Sequence, residues 1–174
     1  AVDSNGIIPM CKFEKEEYGA YTIRPKIKKI LSNYLKPFTE EKLEIKKPGI
    51  RVDCPDTKVT ESGIAKLVAE CDIDHSVPPS DHYHGGTANG RKRLKKFLND
   101  ILPNYETGRN KPDRDGSSRL SSYLHFGFLS PLEIALAVED ADAPQSAKDA
   151  YLEELIVRRE LSYNLTLRNP RYDS

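Results

Sequence analysis

Tyr105 to Pro131 reads YETGRNKPDRDGSSRLSSYLHFGFLSP. Arg109, Lys111 and Arg114 make its first part a basic turn. A small-hydroxyl cluster, Asp115-Gly116-Ser117-Ser118, then stands before the apolar positions Leu120, Tyr123, Leu124 and Phe126, and the spacing predicts a helix over about 118–126. Asp and Ser oxygens accept the orphan N–H groups of a first helical turn. A helix N-terminus also carries partial positive charge and unpaired donors, which suit a phosphate or diphosphate. Ser117, Ser118 and Ser121 add hydroxyls, Arg119 adds a charged fork, and Gly116 removes a side chain where a ligand would approach the backbone. Taken alone, the same residues are better read as an ordinary capped helix with a few surface serines.

Working outward, further helices are predicted at about 90–102, 131–140 and 146–166, the last with a partial capping box, Ser146 with Asp149. On that last helix Glu154 and Arg158 are four apart and share a face, so they are expected to pair. Taken alone, such a pair is a surface ion bridge worth a few tenths of a kcal/mol, roughly. Near the start, Ile7-Ile8-Pro9-Met10 fits a buried strand end, and Ile27, Ile30, Leu31, Tyr34 and Leu35 place a helix over 23–35. Residues 36–60 carry Pro37, Pro48 and Pro55 among many charges and read as a linker. A short helix over 62–71 turns Ile64, Leu67 and Val68 inward, and 72–90 is a Pro/His/Gly loop. There is no internal repeat and no low-complexity tract.

The 174 residues carry 27 basic and 27 acidic side chains, so the chain as a whole is not an electrostatic trap for nucleic acid. The charge is unevenly spread. Between 91 and 119, nine Lys/Arg face four acids, and between 133 and 160, eight acids face three bases. The basic stretch suits phosphate tracking or, equally, a solvated helix face. The three cysteines, 11, 54 and 71, show no paired spacing. With no signal peptide, that argues for a reducing compartment, cytoplasmic or, in a eukaryote, nuclear. No apolar run approaches a membrane span of about 20 residues. Cys71, Asp72, Asp74, His75, Asp81, His82 and His84 crowd one loop and invite a metal reading. They lack a Cys-x-x-Cys partner, so a loop leading into a helix is the better reading and no metal is expected.

One pattern joins these pieces. Tyr105, Arg109-Asn110-Lys111-Pro112, Gly116 to Leu124, Gly127 and Ser130-Pro131 resemble, without a gap, the flavin-binding signature of the DNA photolyase/cryptochrome superfamily. The departure is Ser122, where proline is usual. Gly85-Gly86-Thr87 with Arg93-Leu94 and Phe97-Leu98 is similar to the helix that opens that family's flavin domain. Within the superfamily, Val2 to Pro9 (VDSNGIIP) resembles the VDAHNIVP of class II cyclobutane pyrimidine dimer photolyases. Glu17 to Ile27 resembles their EYAARTIRPKI, Leu124 to Gly127 their LHFG, and Glu153 to Asn164 their EELIVRREL-x-x-N. The likeness is weakest between 35 and 84.

The resemblance implies a mainly α fold, the N-terminal half of a helical FAD-binding domain. Residues 85–174 would be that partial domain, 36–84 a connecting region, and 1–35 the end of an α/β (Rossmann-like) antenna domain. The chain is thus expected to be the central piece of a photolyase. The family's tryptophan relay would lie outside it, and the chain has no tryptophan. The implied function is light-dependent repair of cyclobutane pyrimidine dimers by electron transfer from excited reduced FAD, on duplex DNA, by a monomer. The alternative is a cryptochrome-like flavin photosensor without repair. Tyr105, Ser117, Ser118, Arg119, Leu120, Ser121 and Arg159 would bind FAD, with Glu160 and Asn164 supporting. Glu154 and Arg158 would be catalytic, Glu154 by hydrogen-bonding the dimer bases. Arg109 and Arg158 would meet DNA. Some class II members have tryptophan at Arg158. The full-length protein has room for an antenna chromophore. These residues alone are expected to hold FAD weakly or not at all and to repair nothing.

Overall fold

Ile23 and Ile27 drop to 0% and 1% exposure on one face of the first helix, α1 (Ala20–Ile30), and a 3-10 turn (Leu31–Asn33) closes it. The i, i+4 spacing that predicts this helix is the spacing that buries it. The structure is a computed structural model and describes residues 5–38 and 58–173. The chain forms two compact units: 1–38 packs together with 85–174, and 39–84 forms the other. No strand occurs among the described residues.

In the larger unit α3 (Thr87–Lys96) starts after Gly86, whose φ of 93° favours glycine. It runs into a π-helical turn (Phe97–Ile101), a 3-10 turn (Leu102–Asn104) and the short α4 (Tyr105–Gly108). After a long loop come α5 (Ser121–His125) and α6 (Pro131–Glu139). Ser130 caps α6 by accepting the Glu133 amide at 2.9 Å, and Pro131 fills its first position, where a missing N–H costs nothing. α7 (Gln145–Leu152), a π turn (Glu153–Arg158) and α8 (Arg159–Arg168) form one nearly continuous rod. Phe97, Leu102, Leu120, Ile134 and Val138 are wholly buried at the centre. Each such side chain contributes about 1.5–3 kcal/mol relative to exposure.

Several expectations are revised. Ile7 and Ile8 are buried, yet their segment is bent chain followed by a 3-10 turn (Met10–Lys12), not a strand end. Their amides bond a side chain, Glu160, so no neighbouring strand is needed. α5 begins at Ser121, and its N-cap is Leu120, without a side-chain cap bond. Asp115, Ser117 and Ser118 therefore do not cap it, because Arg119 at φ 54° breaks the helical path just before. Ser146 does not cap α7 either: Pro144 precedes the helix, and Gln145 bonds Asp149 at 2.8 Å.

In the smaller unit α2 (Glu61–Ala69) is capped by Thr60, which accepts the Gly63 amide at 3.1 Å. Ile64 and Val68 were expected inward and are 47% and 46% exposed. No second helix or strand is present among the described residues of that unit to cover them. Most of the linker expected at 36–60 lies outside the described residues, as does Cys54.

Candidate functional site

The loop after α4 is built on a close backbone crossing. A Cβ on Gly116 would stand 2.6 Å from the Gly108 carbonyl carbon and closer still to its oxygen, so the crossing needs glycine. Arg93 of α3 secures the far side, donating from Nε to the Ser118 carbonyl at 2.8 Å and from Nη2 to the Ser117 carbonyl at 3.2 Å. Arg119 Nε bonds Asp115 Oδ1 at 2.6 Å. The Ser118 hydroxyl meets Tyr151, whose phenol burial pushes up to about 12, opposed by that hydrogen bond. Leu120 is core. Of the expected cofactor residues here, Ser117 and Arg119 are exposed, Ser118 is half-buried, and Tyr105 and Leu120 point inward.

A cavity of about 730 Å³ opens between α5, α8 and the residues around Asn5. Asn5, Ser121, Ser122 and Arg159 give it an amide, two hydroxyls and a guanidinium, while His125, Phe126 and Tyr163 give it aromatic rings. Arg159 lies 5.2 Å above the Tyr163 ring centre, and the His125 and Phe126 rings meet edge to face at 4.8 Å. Its size is that of an ordinary ligand site, about 300–1,000 Å³. Convergent donors suit anionic oxygens, and the rings suit a flat heterocycle. That donor set fits a flavin dinucleotide, and Ser121 and Arg159 are the expected cofactor residues it brings together. The other five expected cofactor residues do not line it. Asn5, His125, Phe126 and Tyr163 carried no assigned role in the sequence, although Asn5 stands in VDSNGIIP and the His125-Phe126 pair in LHFG.

A second cluster lies where α4 meets α7. Tyr105 is buried, with its ring 5.9 Å from Phe97 and 5.2 Å from Tyr151, both edge to face. Burial pushes its phenol above the ordinary value, and a hydrogen bond from Arg109 works against that. The Arg109 guanidinium sits 5.8 Å above the Tyr105 ring centre and donates from Nη1 to Glu154 at 2.8 Å and to the Ala150 carbonyl at 3.4 Å. The structure thus joins Arg109 to Glu154.

The expected Glu154–Arg158 pair is replaced. Arg158 Nε stands 3.9 Å from Glu153, five residues back. The π turn over Glu153–Arg158 is the reason, since its bonds close at i, i+5 and shift the faces of the rod. Arg24 of α1 grips the same Glu153 carboxylate with Nη2 at 2.6 Å and Nε at 3.0 Å. This holds the Glu153 carboxyl below its ordinary value. Arg158 is more than half exposed. Among the described residues no three His, Cys, Asp or Glu side chains converge as a metal site, and no helix is long and apolar enough to cross a membrane.

The larger helical unit thus carries both a hydroxyl- and arginine-lined cavity and an arginine–carboxylate pair. The chain is 40% identical over 99% of its length to the deoxyribodipyrimidine photo-lyase of Arabidopsis thaliana. It is 35% identical over 99% to that of Methanothermobacter thermautotrophicus and 32% over 99% to that of Potorous tridactylus. It spans 36%, 36% and 31% of those three proteins, about a third of each. No family-wide sequence profile matches it. Each of the three is named deoxyribodipyrimidine photo-lyase, and none is named a cryptochrome.

Proposed function

We propose that this chain is the segment of a class II DNA photolyase that holds one side of FAD and presents the residues that meet a cyclobutane pyrimidine dimer in duplex DNA. The observation that carries the reading is the convergence of Ser121 and Arg159 in one cavity, within a chain similar to photo-lyases over 99% of its length. The class II assignment rests on the VDSNGIIP and EELIVRREL stretches. In this reading residues 85–174 are part of the flavin domain, 36–84 the connection and 1–35 the end of the antenna domain.

FAD, when bound, supplies light absorption and the electron. The chain's own residues bind and orient. Arg159 neutralises negative charge in the cavity, and the Ser121 and Ser122 hydroxyls donate beside it. The Ser117 to Leu120 loop, anchored by Arg93, sets the height of Ser121. Tyr105 is the floor beneath Arg109 and acts through it. Arg109 meets DNA phosphate, and Glu154 offers its carboxylate to the edges of the flipped bases. Flipping costs a few kcal/mol, roughly, and least for a damaged pair. Arg158, more than half exposed and only 3.9 Å from its Glu153 partner, stays within reach of DNA.

The test is the absorption spectrum of the purified full-length protein, followed by light-dependent repair of a dimer-containing oligonucleotide by that protein and its Glu154→Ala variant. Flavin bands with repair that drops in the variant support the reading. Flavin bands without repair point to a photosensor, and no flavin sinks the cofactor assignment.

A further inference from the structure

Glu160 is a carboxylate in the core of the larger unit, 1% exposed. Its Oε1 accepts two successive amides from the far end of the chain, Ile7 at 2.7 Å and Ile8 at 3.0 Å. A buried charge is costly unless it is bonded, and bonds to an ionised acceptor are short and strong. The neighbouring Arg159 donates from Nε to the Asn5 carbonyl at 3.1 Å. Two adjacent residues of α8 thus hold the backbone of one strap, residues 5–8. Strap and carboxylate fit closely: a Cβ on Gly6 would stand 2.8 Å from Glu160 Oε1, 2.9 Å from Cδ and closer still to Oε2. The strap has no strand or helix of its own. Its end, Asn5, lines the cavity with Ser121 and Arg159.

We propose that Gly6 and Glu160 are a fitted pair of positioning residues that fix one wall of the cavity and so make Asn5 a ligand-contacting residue. The cavity's ligand is one with anionic oxygens beside an aromatic ring. The ligand half of this rests on the flavin reading above; the clamp itself does not. The side-chain amide of Asn5 both donates and accepts, which the two serines and Arg159 cannot match in one planar group. In this chain the strap passes close against the carboxylate because glycine stands there. A Cβ at position 6 forces the carboxylate or the strap to shift, and either shift loosens the bonds that hold Ile7 and Ile8.

The fit makes a coupled prediction. In the unaltered background Gly6→Ala speeds hydrogen exchange at the Ile7 and Ile8 amides at least about tenfold, the loss expected when bonds to a charged acceptor open. It also moves the Asn5 side-chain amide and His125 resonances. In a Glu160→Asp background, where the carboxylate is one methylene shorter, Gly6→Ala has little further effect, because the clash is gone. Equal effects in both backgrounds, or unchanged exchange in Gly6→Ala, overturn the clamp. A general loss of packing would add across the two backgrounds, so the non-additivity separates fit from bulk destabilisation.

Titration of the full-length protein with FAD tests the ligand half. Asn5→Ala, which leaves Ile7 and Ile8 exchange unchanged, raises the FAD dissociation constant about tenfold, the range of one lost hydrogen bond. An unchanged constant removes Asn5 from the ligand's contacts. No FAD binding by the unaltered full-length protein defeats the flavin reading and Asn5's ligand role with it, while the exchange rates still decide the clamp.

Discussion

Arg109 and Glu154 stand 2.8 Å apart across the join of α4 and α7, and the same guanidinium lies 5.8 Å above the ring of Tyr105. Both charged groups are partly exposed, so water and salt screen the pair. On the proposed function its use is placement: Arg109 would aim the carboxylate offered to the bases, with Tyr105 beneath Arg109.

Arg109→Ala is therefore expected to change stability by no more than about 1 kcal/mol. It should weaken binding of dimer-containing DNA and lower the slope of log affinity against log salt by about one, as loss of one phosphate contact does. Anisotropy titrations over a salt series measure both. An unaltered slope would take Arg109 out of the phosphate contacts.

The Arg24–Glu153 pair gives the fold an acid limb. Arg24 holds the Glu153 carboxyl below its ordinary 4.5, so the folded state binds that proton less readily than the unfolded chain. The stabilisation is present above 4.5 and is lost as pH falls through the lower folded value. Glu153→Gln should be less stable than the parent at pH 7, with the difference shrinking as acid is added. Urea unfolding midpoints across that range check it. A difference that stays constant with pH would mean that the pair's charge contributes nothing.

Much of the fold could be read from residues 20–35 and 85–168, where apolar side chains repeat at helical spacing and Ser130-Pro131 marks a helix start. What the sequence hid has a local physical cause in each case. Ile7-Ile8 looks like a strand end because apolar side chains say where a segment is buried and not which atom satisfies its amides. Glu160, over a hundred residues away, does that here. Glu154 and Arg158 look like partners because four-residue spacing presumes α geometry throughout, and the π turn between them moves each to a different neighbour. The serine cluster looks like a cap because its loop is held from outside, by Arg93. Ser121 could be read from the hydroxyl cluster, but its meeting with Arg159 only through family resemblance, since no spacing rule links positions 38 residues apart.

Gly116 tests the loop directly. Alanine there collides with the Gly108 carbonyl, which is backbone and cannot swing aside. Gly116→Ala should destabilise the fold by about 1–3 kcal/mol, the usual cost of forced overpacking. It should also loosen the carbonyls held by Arg93. Thermal unfolding reports the first and amide exchange at Ser118 to Ser121 the second. A variant as stable as the parent would mean that the two glycines do not meet in solution.

Tyr151 offers the complementary test at alkaline pH. Its ring is buried against Phe97 and Tyr105, at 4.5 Å and 5.2 Å, and burial raises its phenol from 10.0 to about 12. The folded state therefore keeps this proton where the unfolded chain has lost it. The stability this gives is whole below 10.0 and disappears as pH rises toward about 12. Ultraviolet titration of the nine tyrosines should show a late step that Tyr151→Phe removes. The variant should also lose less stability than the parent across that interval, because it has no buried phenol to ionise. If the late step survives in Tyr151→Phe, another phenol is the shielded one, and the link from Tyr151 through Ser118 to the loop does not form.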